Sequence, residues 1–189
     1  MRISTCNFQM FWIASLVATL QLVNGLNNGL SAAEEDLPGP WLMRAGWAPF
    51  APGVRDLVGH SAWTLGGGYV SAEPGLTAPM GIDVDLRYAH QATGSIVDLG
   101  VTYVERIPWQ NQVYGGYGAG LWAFRLTDDR PEGEGPLWGL RPGLKALVGY
   151  QFAVRDADFR SALEFALVAV APAHGYTTSG LSVDLVIGF

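Results

Sequence analysis

From Ile82 to Tyr88 the chain reads Ile-Asp-Val-Asp-Leu-Arg-Tyr, apolar at every even position and charged at every odd one. A period of two sorts residues onto the two faces of an extended strand, whereas a helix would scatter both sets around its axis. The same alternation recurs along the chain. Val97, Leu99, Val101 and Tyr103 oppose Asp98, Gly100 and Thr102; Leu181, Val183, Leu185, Ile187 and Phe189 oppose Ser182, Asp184 and Gly188. The spacing predicts eight strands, near Trp41–Trp47, Trp63–Ala72, Met80–His90, Ser95–Glu105, Gln112–Leu126, Arg141–Val154, Phe159–Val170 and Gly180–Phe189. The second and fifth are glycine-rich, and their faces cannot be told apart by pattern. No stretch after residue 33 carries a helical stripe, so a chain without helices is expected there.

Strands of this length fit a tilted membrane crossing of about 9–11 residues. The connections at 48–62, 91–94, 127–140 and 171–179 fall at one end, and those at 73–79, 106–111 and 155–158 at the other. Long loops at one end and short turns at the other characterise membrane barrels; 91–94 breaks the trend. An even strand count returns both termini to one end.

Composition narrows the alternatives. Charged residues make up 15% of the chain, against about a quarter in soluble domains. Yet beyond the N-terminus no apolar run approaches the roughly 20 residues that a membrane helix needs. Apolar surface of that kind must fill a core or face lipid as a closed barrel. The net charge is −6 and no basic stripe exists, which argues against a nucleic-acid partner. Residues 1–33 have the form of an export signal: Arg2 is their one charge, Met10–Val23 an apolar core, and Ser31-Ala32-Ala33 a small-residue cleavage site. A retained membrane anchor is the alternative. The single cysteine, Cys6, precedes the apolar core, so it is not placed for lipidation, and a cleaved chain would have no thiol chemistry. The expected organisation is a signal peptide at 1–33, a short periplasmic segment at 34–40 and a barrel at 41–189.

Alternation alone leaves open which face is outside, since a secreted lipocalin-type barrel has the same period with its faces reversed. Here the non-apolar face is rich in glycine and alanine with isolated ions, which suits a crowded lumen better than a solvated surface. Aromatic residues gather toward strand ends, among them Trp41, Trp47, Trp63, Tyr69, Tyr88, Tyr103, Trp109, Phe152 and Phe189, as at a membrane interface. The last strand, LSVDLVIGF, is apolar at alternate positions and ends on an aromatic ring. With Leu185, Ile187 and Phe189 it resembles the C-terminal assembly signal of bacterial outer-membrane proteins. The strand layout over 41–189 and the run Tyr117-Gly118-Ala119-Gly120-Leu121 resemble small barrels of the OmpA, OmpX and OmpW type. The resemblance implies an all-β protein, a closed antiparallel up-and-down transmembrane β-barrel of about eight strands in the bacterial outer membrane, reached by export through the inner membrane. Its implied partners are outer-membrane lipid and the barrel-assembly machinery, with no cofactor. The resemblance says almost nothing about activity; a structural or surface-presenting role, rather than catalysis, is expected, and with nothing after Phe189 the peptidoglycan-binding domain of full OmpA-type proteins is expected to be absent.

In this reading the lumen receives Arg44, Asp83, Asp85, Arg87, Asp98, Lys145, Glu164 and Asp184. Charges away from water must pair or stay hydrated, so an ion-pair network that fills the lumen is expected. The alternative is a narrow, cation-preferring pore, because these acids outnumber the bases five to three. His90 continues the outward phase of Tyr88, and His90-Gln91-Ala92-Thr93-Gly94 resembles the His-x-Ser-Asn-Gly stretch of outer-membrane lipid A deacylases. Ala92 stands where that serine would be, and alanine cannot attack an ester. Glu105, at about the right distance in sequence, falls at the opposite end of the next strand. His60 and His174 fall in outer loops without metal-ligand spacing, and the acidic loop with Asp128, Asp129, Glu132 and Glu134 lacks the spacing of a calcium loop.

Overall fold

The computed structural model describes residues 40–50, 52–71, 78–109, 112–130, 135–153, 160–172 and 176–189. The export signal expected at 1–33, and His174, Glu132 and Glu134, lie outside the described residues. Eight strands follow in order: β1 (Trp41–Pro49), β2 (Ser61–Ser71), β3 (Met80–Gln91), β4 (Gly94–Pro108), β5 (Val113–Asp128), β6 (Leu137–Ala153), β7 (Arg160–Val170) and β8 (Gly180–Gly188). Each pairs antiparallel with its neighbour in sequence, and β1 pairs with β8, so the sheet closes into a barrel. The seam runs from Leu42 opposite Gly188 to Trp47 opposite Val183. Below it, the Trp41 N–H donates to the Phe189 carbonyl at 3.1 Å and the Phe189 N–H to the Trp41 carbonyl at 3.0 Å. Closure leaves no strand with unpaired backbone groups, the condition for a sheet in hydrocarbon.

The faces sort as the alternation demands. Leu86, Leu99, Val148 and Leu185 are exposed on the outside; Asp83, Asp98 and Lys145 are buried inside. That is the inverse of a lipocalin-type barrel. Exposed rings form two bands on the outer face. Trp47, Trp63, Tyr88 and Trp138 lie toward the loop end, and Trp41, Tyr69, Tyr103, Tyr150, Phe152 and Phe189 toward the end with the termini. The apolar run between the bands varies in height. On β6, Trp138 to Tyr150 projects to about 30 Å at the usual spacing and tilt; on β2, Trp63 to Tyr69 projects to only about 15 Å.

Two expectations need correction. A helix, α1 (Pro52–Val58), follows β1, where no helix was expected. Seven residues are too few to stand out by periodicity, but the signals are present. Pro52 opens the helix, where a missing N–H matters least. Val54, Leu57 and Val58 share one buried face. Gly59, at φ +89°, closes it in the left-handed conformation, its N–H donating to the Arg55 carbonyl at 3.0 Å. The helix inserts into the mouth of the barrel, where its apolar face packs with Phe50 and the inward-facing Ala62, Ala89, Ile96, Phe124 and Leu126. The short turn at 91–94 touches this helix: Thr93 Oγ1 donates to the Leu57 carbonyl at 2.6 Å. The second correction concerns 127–140. β5 runs on to Asp128 and β6 begins at Leu137, so both ends of that expected loop are strand.

Glycines of β4 and β6 make room for large inward rings of β5. A Cβ on Gly100 would lie 2.8 Å from Trp122 ring atoms, one on Gly143 equally close to the same ring, and one on Gly149 within 2.5 Å of the Tyr114 ring. Small residues opposite large ones let an eight-stranded lumen fill without strain. Gly67 faces outward, where a Cβ would meet only the Leu42 carbonyl at 3.5 Å. Gly149→Val should therefore destabilise the barrel by about 1–3 kcal/mol, while Gly67→Ala should leave it folded at nearly wild-type stability. Urea titration of protein refolded into vesicles, followed by tryptophan fluorescence, measures both.

Candidate functional site: the ionic lumen

The lumen is built in layers along its axis. At the end with the termini, Leu42, Val70, Val104, Tyr114, Leu147, Ala162, Ala166 and Val186 form an apolar floor. The helix-capped cluster forms the roof. The charges lie between.

Asp83, on β3, is the hub. It is fully buried and meets three cations from three other strands. Arg44 Nη1 of β1 donates to Oδ2 at 2.5 Å. Arg106 Nη2 of β4 spans both oxygens at 3.0 and 2.9 Å. Lys145 Nζ of β6 reaches Oδ2 at 2.9 Å and also donates to Asp85 Oδ2 at 2.7 Å. Glu164 of β7 closes the group: it accepts from the Tyr114 hydroxyl at 2.7 Å and stands 3.6 Å from Arg44 and 3.7 Å from Arg106. Gly66 and Gly68 on β2 leave the space. A Cβ on Gly68 would lie 2.7 Å from an Asp83 oxygen, and one on Gly66 2.9 Å from an Asp85 oxygen.

The remaining expected residues are buried as well but lie apart from this hub. Asp184 accepts from the Thr64 hydroxyl and from the Ser182 hydroxyl at 2.7 Å. Arg87 and Asp98 belong to an upper group with Arg141. Arg87 Nη1 donates to the Thr178 carbonyl at 2.8 Å, and Arg141 Nη2 to the Thr178 hydroxyl at 3.1 Å. The Arg141 guanidinium lies 4.0 Å from the centre of the Phe124 ring and 3.9 Å from Asp98. This group pulls the segment before β8 into the mouth of the barrel.

Pattern reading missed Arg106, Arg141, Thr64, Tyr114 and Thr178; Ser182 it placed on the polar face without assigning it a partner. Arg106 was assigned to a turn, although it extends the inward series Asp98, Gly100, Thr102, Val104 by one step. Arg141 opened a strand whose first inward position was not recognised. Their addition changes the charge balance. Among the described residues the lumen holds five acids (Asp83, Asp85, Asp98, Glu164, Asp184) and five bases (Arg44, Arg87, Arg106, Arg141, Lys145). The argument for a cation-preferring pore rested on a surplus of acids, and that surplus is gone.

The C-terminal residues lie outside the lumen: Leu185 and Phe189 are exposed and Ile187 half-buried on the outer face of β8. His90 is exposed at the loop end, opposite Ser95, whereas Glu105 pairs with Met80 at the other end of β4 and accepts from the Tyr117 hydroxyl. Ten residues of strand, about 34 Å, separate the levels of His90 and Glu105, so the deacylase-like set is not assembled. No group of three or more His, Cys, Asp or Glu among the described residues is arranged to hold a metal ion.

Removing the hub carboxylate should leave Arg44, Arg106 and Lys145 facing one another without their main counter-charge. Asp83→Asn is expected to destabilise the barrel by about 3–5 kcal/mol. Asp128, the last residue of β5, pairs with Arg130 at the loop end, outside the lumen, and Asp128→Asn should leave the unfolding midpoint unchanged. Urea midpoints in vesicles compare the two.

No family model matches the chain, and no curated protein matches it in sequence. Among solved structures it is similar to Neisserial surface protein A, with a TM-score of 0.52 at 13% identity over 79% of this chain and 96% of that one. It is also similar to the N-terminal β-barrel domain of Pseudomonas aeruginosa OprF, with a TM-score of 0.48 at 12% identity over 81% of this chain and 98% of that one. The present chain shares the barrel fold of Neisserial surface protein A.

Proposed function

We propose that this protein is a bacterial outer-membrane barrel with a structural or surface-presenting role, neither a channel nor an enzyme. The observation that carries the reading is the outer face: exposed aliphatic side chains between two bands of aromatic rings, around an interior of paired ions. Such a surface in water would carry a large free-energy penalty, and in a bilayer it has none. Export would use the signal at 1–33. Outer-membrane lipid is then the partner of the belt, and the barrel-assembly machinery that of β8, whose outward Leu185, Ile187 and Phe189 carry the assembly pattern.

A non-conducting barrel is supported by the apolar clusters above and below the ionic layer and by the equal count of acids and bases. A non-enzymatic role is supported by Ala92 in place of a nucleophile and by the distance between His90 and Glu105. The loop end, capped by α1 and by the segment drawn in through Thr178, faces the exterior in this reading and presents the acidic hairpin of β5 and β6.

The protein is expected in the outer-membrane fraction, migrating faster on gels when unheated than when boiled, because folded barrels hold their shape in detergent. Recovery as a soluble chain with no heat-dependent shift would refute the membrane assignment. In planar bilayers the wild type should give no discrete conductance steps; reproducible single-channel steps would refute the closed-lumen reading.

A further inference from the structure

One region of the outer face departs from the uniform aliphatic belt. Arg125 on β5 points outward between Val97 of β4 and Trp138 of β6, its pairing partners. Its guanidinium lies 5.1 Å from the centre of the Trp138 ring, and among the described residues no carboxylate pairs with it. Below it, toward the middle of the belt, a shallow groove is lined by Val97, Leu99, Ala123 and Leu140. The small Ala123 side chain makes the depression. Above it, one pairing step toward the loops, His90, Ser95 and Thr127 stand side by side on β3, β4 and β5. Ser95 and Thr127 share the outward phase of Val97 and Arg125. An apolar trough thus leads to a cation braced on a tryptophan, and then to a row of hydroxyl and imidazole groups.

We propose that this face binds a phosphate-bearing glycolipid of the lipid A class, with an acyl chain in the groove and a phosphate held by Arg125 beneath the His90–Ser95–Thr127 row. The proposal rests on the outer-membrane reading above, which puts the loop end in the outer leaflet. A guanidinium at the edge of an apolar belt loses much of its hydration, and an anion restores that loss most fully when it accepts two parallel N–H bonds, as a phosphate does. The Trp138 ring beneath the guanidinium restrains the side chain, so less freedom is lost on binding. Hydroxyls and an imidazole one step above supply donors for the remaining phosphate oxygens and for sugar hydroxyls. His90, singled out in the sequence for its hydrolase-like surroundings, thereby acquires a binding role that needs no nucleophile.

The test uses the full protein, purified folded in detergent and examined by native mass spectrometry. It is offered bis-phosphorylated lipid A, the same lipid with its phosphates removed, or phosphatidylglycerol. Wild type should retain lipid A, with the dephosphorylated form bound about tenfold more weakly, the loss expected for one charge-assisted contact. Arg125→Gln should bind lipid A as weakly as wild type binds the dephosphorylated lipid. Arg160→Gln, at the opposite end of the barrel on β7, should bind lipid A as wild type does. Heat-dependent gel migration checks that each variant is folded. Equal retention by Arg125→Gln and wild type, or equal binding of the phosphorylated and dephosphorylated lipids, overturns the proposal. Binding of phosphatidylglycerol as tight as that of lipid A overturns the choice of lipid. A chain that inserts and shifts on heating but shows no phosphate preference refutes this inference alone; a chain that neither inserts nor shifts refutes the membrane reading with it.

Discussion

A carboxylate with no access to water needs cations around it, and the arrangement of this barrel follows from how Asp83 obtains them. Arg44, Arg106 and Lys145 reach it from β1, β4 and β6, while Glu164 of β7 and Tyr114 of β5 extend the group to the far wall. Backbone pairing joins each strand only to its neighbours. The ionic group also joins strands that are not neighbours, across the interior. Buried pairs add little net stability over a well-packed apolar core. Their contribution here is to specify: a strand slipped by one residue would turn its ion toward lipid and leave its partners unpaired.

The interior is accordingly a packed core with an ionic middle. Its glycines are the counterparts of Trp122, Phe124 and Tyr114, and in β2 they are the space into which Arg44, Asp83 and Asp85 converge. The helix after β1 completes the packing at the loop end, where the inward positions become apolar (Ala62, Ala89, Ile96, Phe124 and Leu126) and need an apolar lid. One strand set therefore carries three kinds of inner surface at successive heights.

Most of the barrel was legible because a two-faced strand writes itself directly into the order of residues. Ile82–Tyr88 declares both faces at once, and all eight lumen ions named from the pattern point inward. The failures have local causes. In β2 and β5, glycine occupies the inward positions, so the faces carry no contrast to read. Arg106 lies one step past an apparent strand end, because Ile107 and Pro108 blur the alternation. Helix α1 is shorter than two turns, too brief for its apolar face to stand out from a loop. The site on the outer face was not legible. Arg125 and Trp138 meet only because β5 and β6 pair in the register they do, and His90 acquires neighbours on β4 and β5 that sequence order does not reveal.

The unequal height of the apolar band has a consequence for the surrounding bilayer. β2 lies across the barrel from β6, and its outer apolar run is about half as tall. A membrane of uniform thickness cannot match both walls of an upright cylinder. Either the axis leans until the short wall is covered, or the lipids beside Trp63 and Tyr69 draw together to a thinner sheet, each at a fraction of a kcal/mol per ångström of mismatch. The protein would then deform the lipid around it asymmetrically, and neighbouring barrels would meet different membrane thicknesses on its two sides.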